Sequence, residues 1–131
     1  MTIRRVSTRG APEPAGHYSQ AVVEGGFVFV AGQLPIDPAT GAIAGGPDDI
    51  AAQTRQVLRN VEAILRAAGS GLERLVSVTV FVTSRSQWKV VDQAYAEMLG
   101  AHRPARAVIP VPELRPGCLI EVQAIASAGQ A

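Results

Sequence analysis

The chain has 131 residues, 47% of them hydrophobic and 18% charged, with 12 basic and 11 acidic side chains and a formal net charge of +1. That is enough for one well-packed domain, 1–131, and excludes both a disordered segment and a pair of domains. Nucleic acid is disfavoured as a partner, because only Arg4, Arg5 and Arg9 cluster and no aromatic side chains are interleaved with them.

Cys118 is the single cysteine, so an intrachain disulfide is excluded. No apolar segment follows the basic residues of "MTIRRVSTRGAPEP", so no secretory leader is expected. The longest apolar run, "LVSVTVFV", is too short to span a bilayer. The expected location is the cytoplasm, with no membrane partner.

In chain order, "TIRRV" reads as an edge strand. "QAVVEGGFVFVAGQL" reads as two strands joined at Gly25-Gly26, a dipeptide suited to a tight hairpin. In "IDPATGAI", Pro38 and Gly41 mark a turn. The clearest helix is "DDIAAQTRQVLRNVEAILRAAG", where Ile50, Val57, Leu58, Val61, Ile64, Leu65 and Ala68 form one apolar stripe. Pro47 and two aspartates favour its start, and Gly69 its stop.

"LVSVTVFVTS" alternates, with Val76, Val78, Val80 and Val82 on one face and Ser77, Thr79, Phe81 and Thr83 on the other. A second helix is expected from about Gln87, with Trp88, Val91, Tyr95, Met98 and Leu99 inward and Gly100 closing it. Ser84 and Gln87 have capping-box spacing, and Asp92 reads as the helix's polar side. "ARAVIPV" and "LIEVQAIA" are the last strands, and in the second Leu119, Glu121, Gln123 and Ile125 share a face. The pattern predicts an α+β sheet with both helices on its valine face. The hydroxyl- and aromatic-rich face suits a subunit contact.

The usual catalytic signatures are missing. There is no phosphate loop and no Gly-x-Ser-x-Gly elbow, and His17 and His102 lack ligand spacing for zinc. Cys118 has no evident activating partner. What remains are polar residues in apolar settings: Arg106 at the mouth of "ARAVIPV", Glu121 within "LIEVQAIA", Tyr18 in "AGHYSQA", and Gly32-Gln33 ending "FVFVAG". On the residues alone, Arg106 is equally a solvated or ion-paired arginine, Glu121 the wet side of a half-buried strand, and Tyr18 a packed tyrosine. A cross-strand salt bridge between Arg106 and Glu121 is also open.

"AGHYSQAV", "VAGQLPIDPATG", "QTRQVLRNVEAILRAAG", "SVTVFV", "HRPARAVIPV" and "LIEVQAIA" occur in the order and spacing of the Rid family, also called the YjgF family, and the chain resembles it from about Arg5 to Ala126. The resemblance implies a chorismate-mutase-like fold, a mixed six-stranded sheet backed by two helices. It also implies a homotrimer with active sites between subunits, and no cofactor or metal. The implied activity is hydrolysis of enamine and imine carboxylates such as 2-aminoacrylate to a keto acid and ammonia. Arg106 matches the family's carboxylate-binding arginine and Glu121 its catalytic glutamate. Tyr18 and Gly32 match its tyrosine and glycine, and Val108 stands where the family uses a backbone carbonyl.

Departures fall at His17, Ala31, Asp92, Val108 and Gln123, and they bear on substrate range. The family also has members described as endoribonucleases or translation inhibitors, and a small-carboxylate sensor would keep Arg106 without needing Glu121.

Overall fold

A computed structural model describes residues 2–129 of the chain. Strand β1 (Arg4–Val6) pairs antiparallel with β2 (Ala21–Glu24), which folds back on β3 (Phe27–Gln33). Gly25 and Gly26 both take positive φ, 62° and 85°, as a two-residue hairpin turn with the right-handed strand twist requires. The expected hairpin forms at that dipeptide.

Helix α1 (Ile50–Ala67) starts later than Pro47, because the Asp49 carboxylate caps it by accepting from the Ala52 N–H at 2.9 Å. Its end is a Schellman turn. Gly69, at φ 83°, donates to the Arg66 carbonyl, and Ser70 N–H donates to that of Leu65. The apolar stripe is buried: Val57, Val61, Ile64 and Leu65 are all at 0% exposure. Two amides share that buried side. Gln53 holds the Gly46 and Gly117 carbonyls and the Leu119 N–H, and Asn60 donates to the Leu34 and Ile36 carbonyls. They satisfy loop backbone that would otherwise be buried unpaired.

Strand β4 (Leu75–Val82) lies antiparallel to β6 (Ile120–Ser127) and parallel to β5 (Ala105–Pro110). Val78, Val80 and Val82 are buried as the alternation predicts, but Val76 is exposed and Leu75 takes the inward place. The register slips between Leu75 and Ser77, and that bulge reverses the alternation upstream of it.

Helix α2 (Trp88–Leu99) follows a 3₁₀ turn over Arg85–Gln87. The expected capping box does not form. Ser84 Oγ accepts from Ser86 N–H, and the buried Gln87 Oε1 has no partner. Val91, Tyr95 and Leu99 are buried, whereas Trp88 and Met98 pack only partly.

The six strands run β1-β2-β3-β6-β4-β5 in one mixed sheet, with both helices against the same face. The opposite face carries exposed Phe27, Phe29 and Ile109, with Phe81, Thr79 and Ile125 half-buried beside them. Among the described residues, no helix is long and apolar enough to cross a membrane. The α+β architecture and the helix-backed six-stranded sheet match the expectation from the sequence.

Candidate active site

The anticipated site residues fall into two groups, and the sheet lies between them. Arg106 pairs in register with Val78, a core residue, so its side chain leaves β5 on the helix side. There it meets α2. The guanidinium carbon lies 4.6 Å from the Trp88 ring centroid and 4.8 Å from that of Tyr95, within cation–π range of both. Nη1 donates to Asp92 Oδ1 at 2.8 Å. Asp92 is therefore not merely the polar side of its helix. Trp88, Asp92 and Tyr95 stand at steps of four and three, one helical stripe aimed at β5.

That pair replaces the cross-strand bridge to Glu121 left open by the sequence. With the Asp92 side chain half exposed, it contributes about 0–1 kcal/mol. Burial pushes the Tyr95 hydroxyl's pKa up, with the nearby Arg106 guanidinium pulling the other way, and among the described residues no group makes a well-aligned hydrogen bond to the hydroxyl. Asp92, Tyr95, His102, Arg103 and Arg106 line a cleft of about 470 Å³. His102 is held at its rim, Nε2 donating to the Leu75 carbonyl at 2.7 Å.

β5 is the sheet's edge strand. Val111 N–H donates to the Val82 carbonyl, so odd-numbered residues turn their backbone groups toward β4. Arg106, Val108 and Pro110 therefore present theirs outward. Pro110 tolerates this because it has no N–H to leave unpaired. Among the described residues the Val108 carbonyl has no hydrogen-bond partner, and it faces out from the edge two residues along β5 from Arg106. The Val108 side chain joins Trp88, Val82, Arg85 and Pro110 around an apolar hollow of about 430 Å³.

Glu121 belongs to the second group. It pairs with Phe81 and shares its face, away from the helices. The register of β3 against β6 slips between Val30 and Gln33, and this bulge brings Gly32 over Glu121. A Cβ at Gly32 would overlap the Glu121 carboxylate, the tip of a flexible side chain, and push it aside, so glycine lets the carboxylate keep this position. Among the described residues no side chain pairs with Glu121, and burial raises its pKa above the ordinary carboxylate value.

Gly32 and Tyr18 line a small hollow with Gln33, Leu34 and Arg115. Tyr18 is 51% exposed, and its hydroxyl accepts from the Ala15 N–H at 3.2 Å. It is not the packed tyrosine the residues alone allowed. The neighbouring Gln20 is buried and structural, its amide spanning Thr8, Ala11 and Pro12. Cys118 is buried, and desolvation, the largest cause, pushes its thiol pKa up, the direction that disfavours a nucleophilic thiolate.

One chain thus holds Glu121 beside Gly32 on the open face, with Tyr18 lining a hollow on Gly32, and Arg106 with the Val108 backbone at the edge and helix side. It does not bring the two groups together.

Residues 8–128 match the family model described as endoribonuclease L-PSP. A RutC family protein of Pyrococcus horikoshii is 47% identical over 121 residues, 92% of this chain and 94% of that protein. A Salmonella typhimurium protein named 2-iminobutanoate/2-iminopropanoate deaminase is 39% identical over 126 residues, covering 94% and 96% of the two chains. Among solved structures, a Rid family protein of unknown function from Yersinia pestis superposes with a TM-score of 0.92 at 36% identity, covering 97% of this chain and 100% of that one.

Proposed function

Because the chain belongs to the endoribonuclease L-PSP family, the Rid proteins, we propose that it hydrolyses small enamine and imine carboxylates to a 2-keto acid and ammonia, at sites shared between copies of itself. The observation that carries this reading is the placement of two prepared half-sites on opposite sides of one sheet. A charge-bearing edge, Arg106 with the Val108 carbonyl, complements an open face carrying Glu121, a carboxylate with no side-chain partner among the described residues. Laying the β5 edge of one copy against the open face of the next joins them. A closed ring of three repeats that contact and covers the exposed aromatics Phe27 and Phe29.

In such a site the Arg106 fork grips the substrate carboxylate, and the Val108 carbonyl accepts a hydrogen bond from the imine N–H. An enamine first takes a proton on carbon to become the iminium ion, the same species an imine gives when its nitrogen is protonated. The imine carbon is already electrophilic, so little more is required than a placed water and a base. Glu121 takes the water's proton as the oxygen adds to that carbon, giving a carbinolamine. Returning that proton to nitrogen makes ammonia the leaving group, and as the C–N bond breaks the carbinolamine hydroxyl gives its proton to Glu121, leaving the keto acid. A raised pKa suits both halves of that exchange. Tyr18 stands at the mouth, where it closes the pocket or donates its hydroxyl hydrogen. A carboxylate sensor would need only Arg106, so the carboxylate kept clear beneath Gly32 favours hydrolysis.

The test generates imines in place from several amino acids with an amino-acid oxidase. Imine decay and ammonia release should both accelerate with catalytic amounts of the protein, whose mass by light scattering should be three times the 13.7 kDa of one chain at micromolar concentration. No acceleration with any imine would defeat the hydrolytic reading. A monodisperse, fully active monomer would defeat the shared site.

A further inference from the structure

Arg106 already holds a carboxylate. We infer that Asp92 is a specificity-determining residue, an internal carboxylate that competes with the substrate's for Arg106 and shifts selectivity toward imines carrying little or no negative charge. The inference deepens the hydrolytic reading and rests on it only for the substrate's identity.

Asp92 Oδ1 takes Nη1 of the guanidinium at 2.8 Å, while Trp88 and Tyr95 lie against the same group at 4.6 and 4.8 Å. All three side chains project from consecutive turns of α2, so the grip on Arg106 is built into one rigid helix. An incoming carboxylate has two options. It displaces Asp92 from Nη1, or it settles on the remaining N–H donors within a few ångströms of the Asp92 charge.

Either route weakens acid binding relative to an Arg106 without that neighbour. Neither penalises a neutral imine. The cleft of about 470 Å³ beside the pair leaves room for a ligand without moving the helix. Arg103 lines the same cleft and leaves its positive charge unanswered by any ion pair among the described residues. Asp92 has no buried structural duty that would explain it otherwise, for its side chain is 51% exposed.

Asp92→Asn keeps the side chain's shape and its acceptor toward Nη1 but removes the charge, and at so exposed a position the fold should persist. Pyruvate is titrated into wild type and variant by calorimetry, and both are assayed on an imine with a carboxylate and on a neutral one. The variant should bind pyruvate about five- to fifty-fold more tightly, and KM for the carboxylate imine should fall by a similar factor. The effect should lie in KM rather than kcat, with KM for the neutral imine unmoved. Unchanged, weaker or undetectable pyruvate binding in the variant would overturn the inference and leave Asp92 as a prop for Arg106. Tighter pyruvate binding with no hydrolysis by either protein would defeat the hydrolytic reading while the role of Asp92 stands.

Discussion

Arg106→Ala should lower kcat/KM on a carboxylate imine by at least about a hundred-fold, equivalent to about 3 kcal/mol of lost transition-state binding. Alanine removes the charge and both hydrogen bonds of the fork. It also strips the guanidinium from Trp88 and Tyr95 and leaves Asp92 unpaired, a negative charge facing the substrate. Lysine restores charge but neither the planar fork nor the flat stacking on two rings, so Arg106→Lys should recover only a small part. The loss should depend on substrate. An imine lacking the carboxylate should be turned over scarcely worse by the alanine variant than by wild type. Circular dichroism checks the fold. Equal activity of wild type and the lysine variant on the acid substrate would show that no bidentate grip operates.

Glu121→Gln should reduce turnover by roughly ten- to a thousand-fold while pyruvate still binds, because Arg106 is untouched. The pH dependence gives a second, independent readout. The base is active when ionised, so activity should fall as pH drops through the Glu121 pKa. Burial places that limb above the ordinary carboxylate range. The glutamine variant should lose the limb together with its rate. Stability runs the other way. A carboxyl group whose folded pKa is raised favours folding when protonated, below its unfolded pKa, and that contribution is lost as pH rises through the folded pKa. Above that window the glutamine variant should therefore be no less stable than wild type, by urea denaturation at one protein concentration. Unchanged turnover would reduce Glu121 to the wet side of a strand.

Much of the fold was legible because it follows from local rules. Gly25-Gly26 dictates the hairpin, the stripe from Ile50 to Ala68 dictates α1, and alternation in "LIEVQAIA" correctly sets Glu121 and Gln123 opposite Ile120 and Val122. Local rules fail where an extra residue enters a ladder. The bulge at Leu75–Ser77 turned Val76 outward, and no pattern in the strand announces it.

The sequence names the candidate site residues, but not their arrangement. Alternation says which residues within a strand share a face, yet it cannot relate the faces of two strands. That Arg106 sides with Val78 and Glu121 with Phe81 depends on cross-strand register, set by the β4–β5 and β4–β6 pairings. The Asp92–Arg106 pair did leave a signal in the 88-92-95 spacing. Trp88 and Tyr95 read as inward, whereas Asp92 between them reads only as the helix's polar side. Gln53 and Asn60 went unmarked because a buried amide looks polar in sequence, whereas here each is fully enclosed by loop carbonyls that need a donor.

The most direct test of a site shared between copies uses two inactive proteins. Arg106→Ala and Glu121→Gln are purified separately, unfolded together in equal amounts, refolded and assayed against each alone treated the same way. If Arg106 and Glu121 of each site come from different chains, random assembly rebuilds about a quarter of the sites with both groups intact, and about a quarter of wild-type activity should return. A mixture no more active than the two variants measured apart would place both residues of each site in one chain and contradict the account.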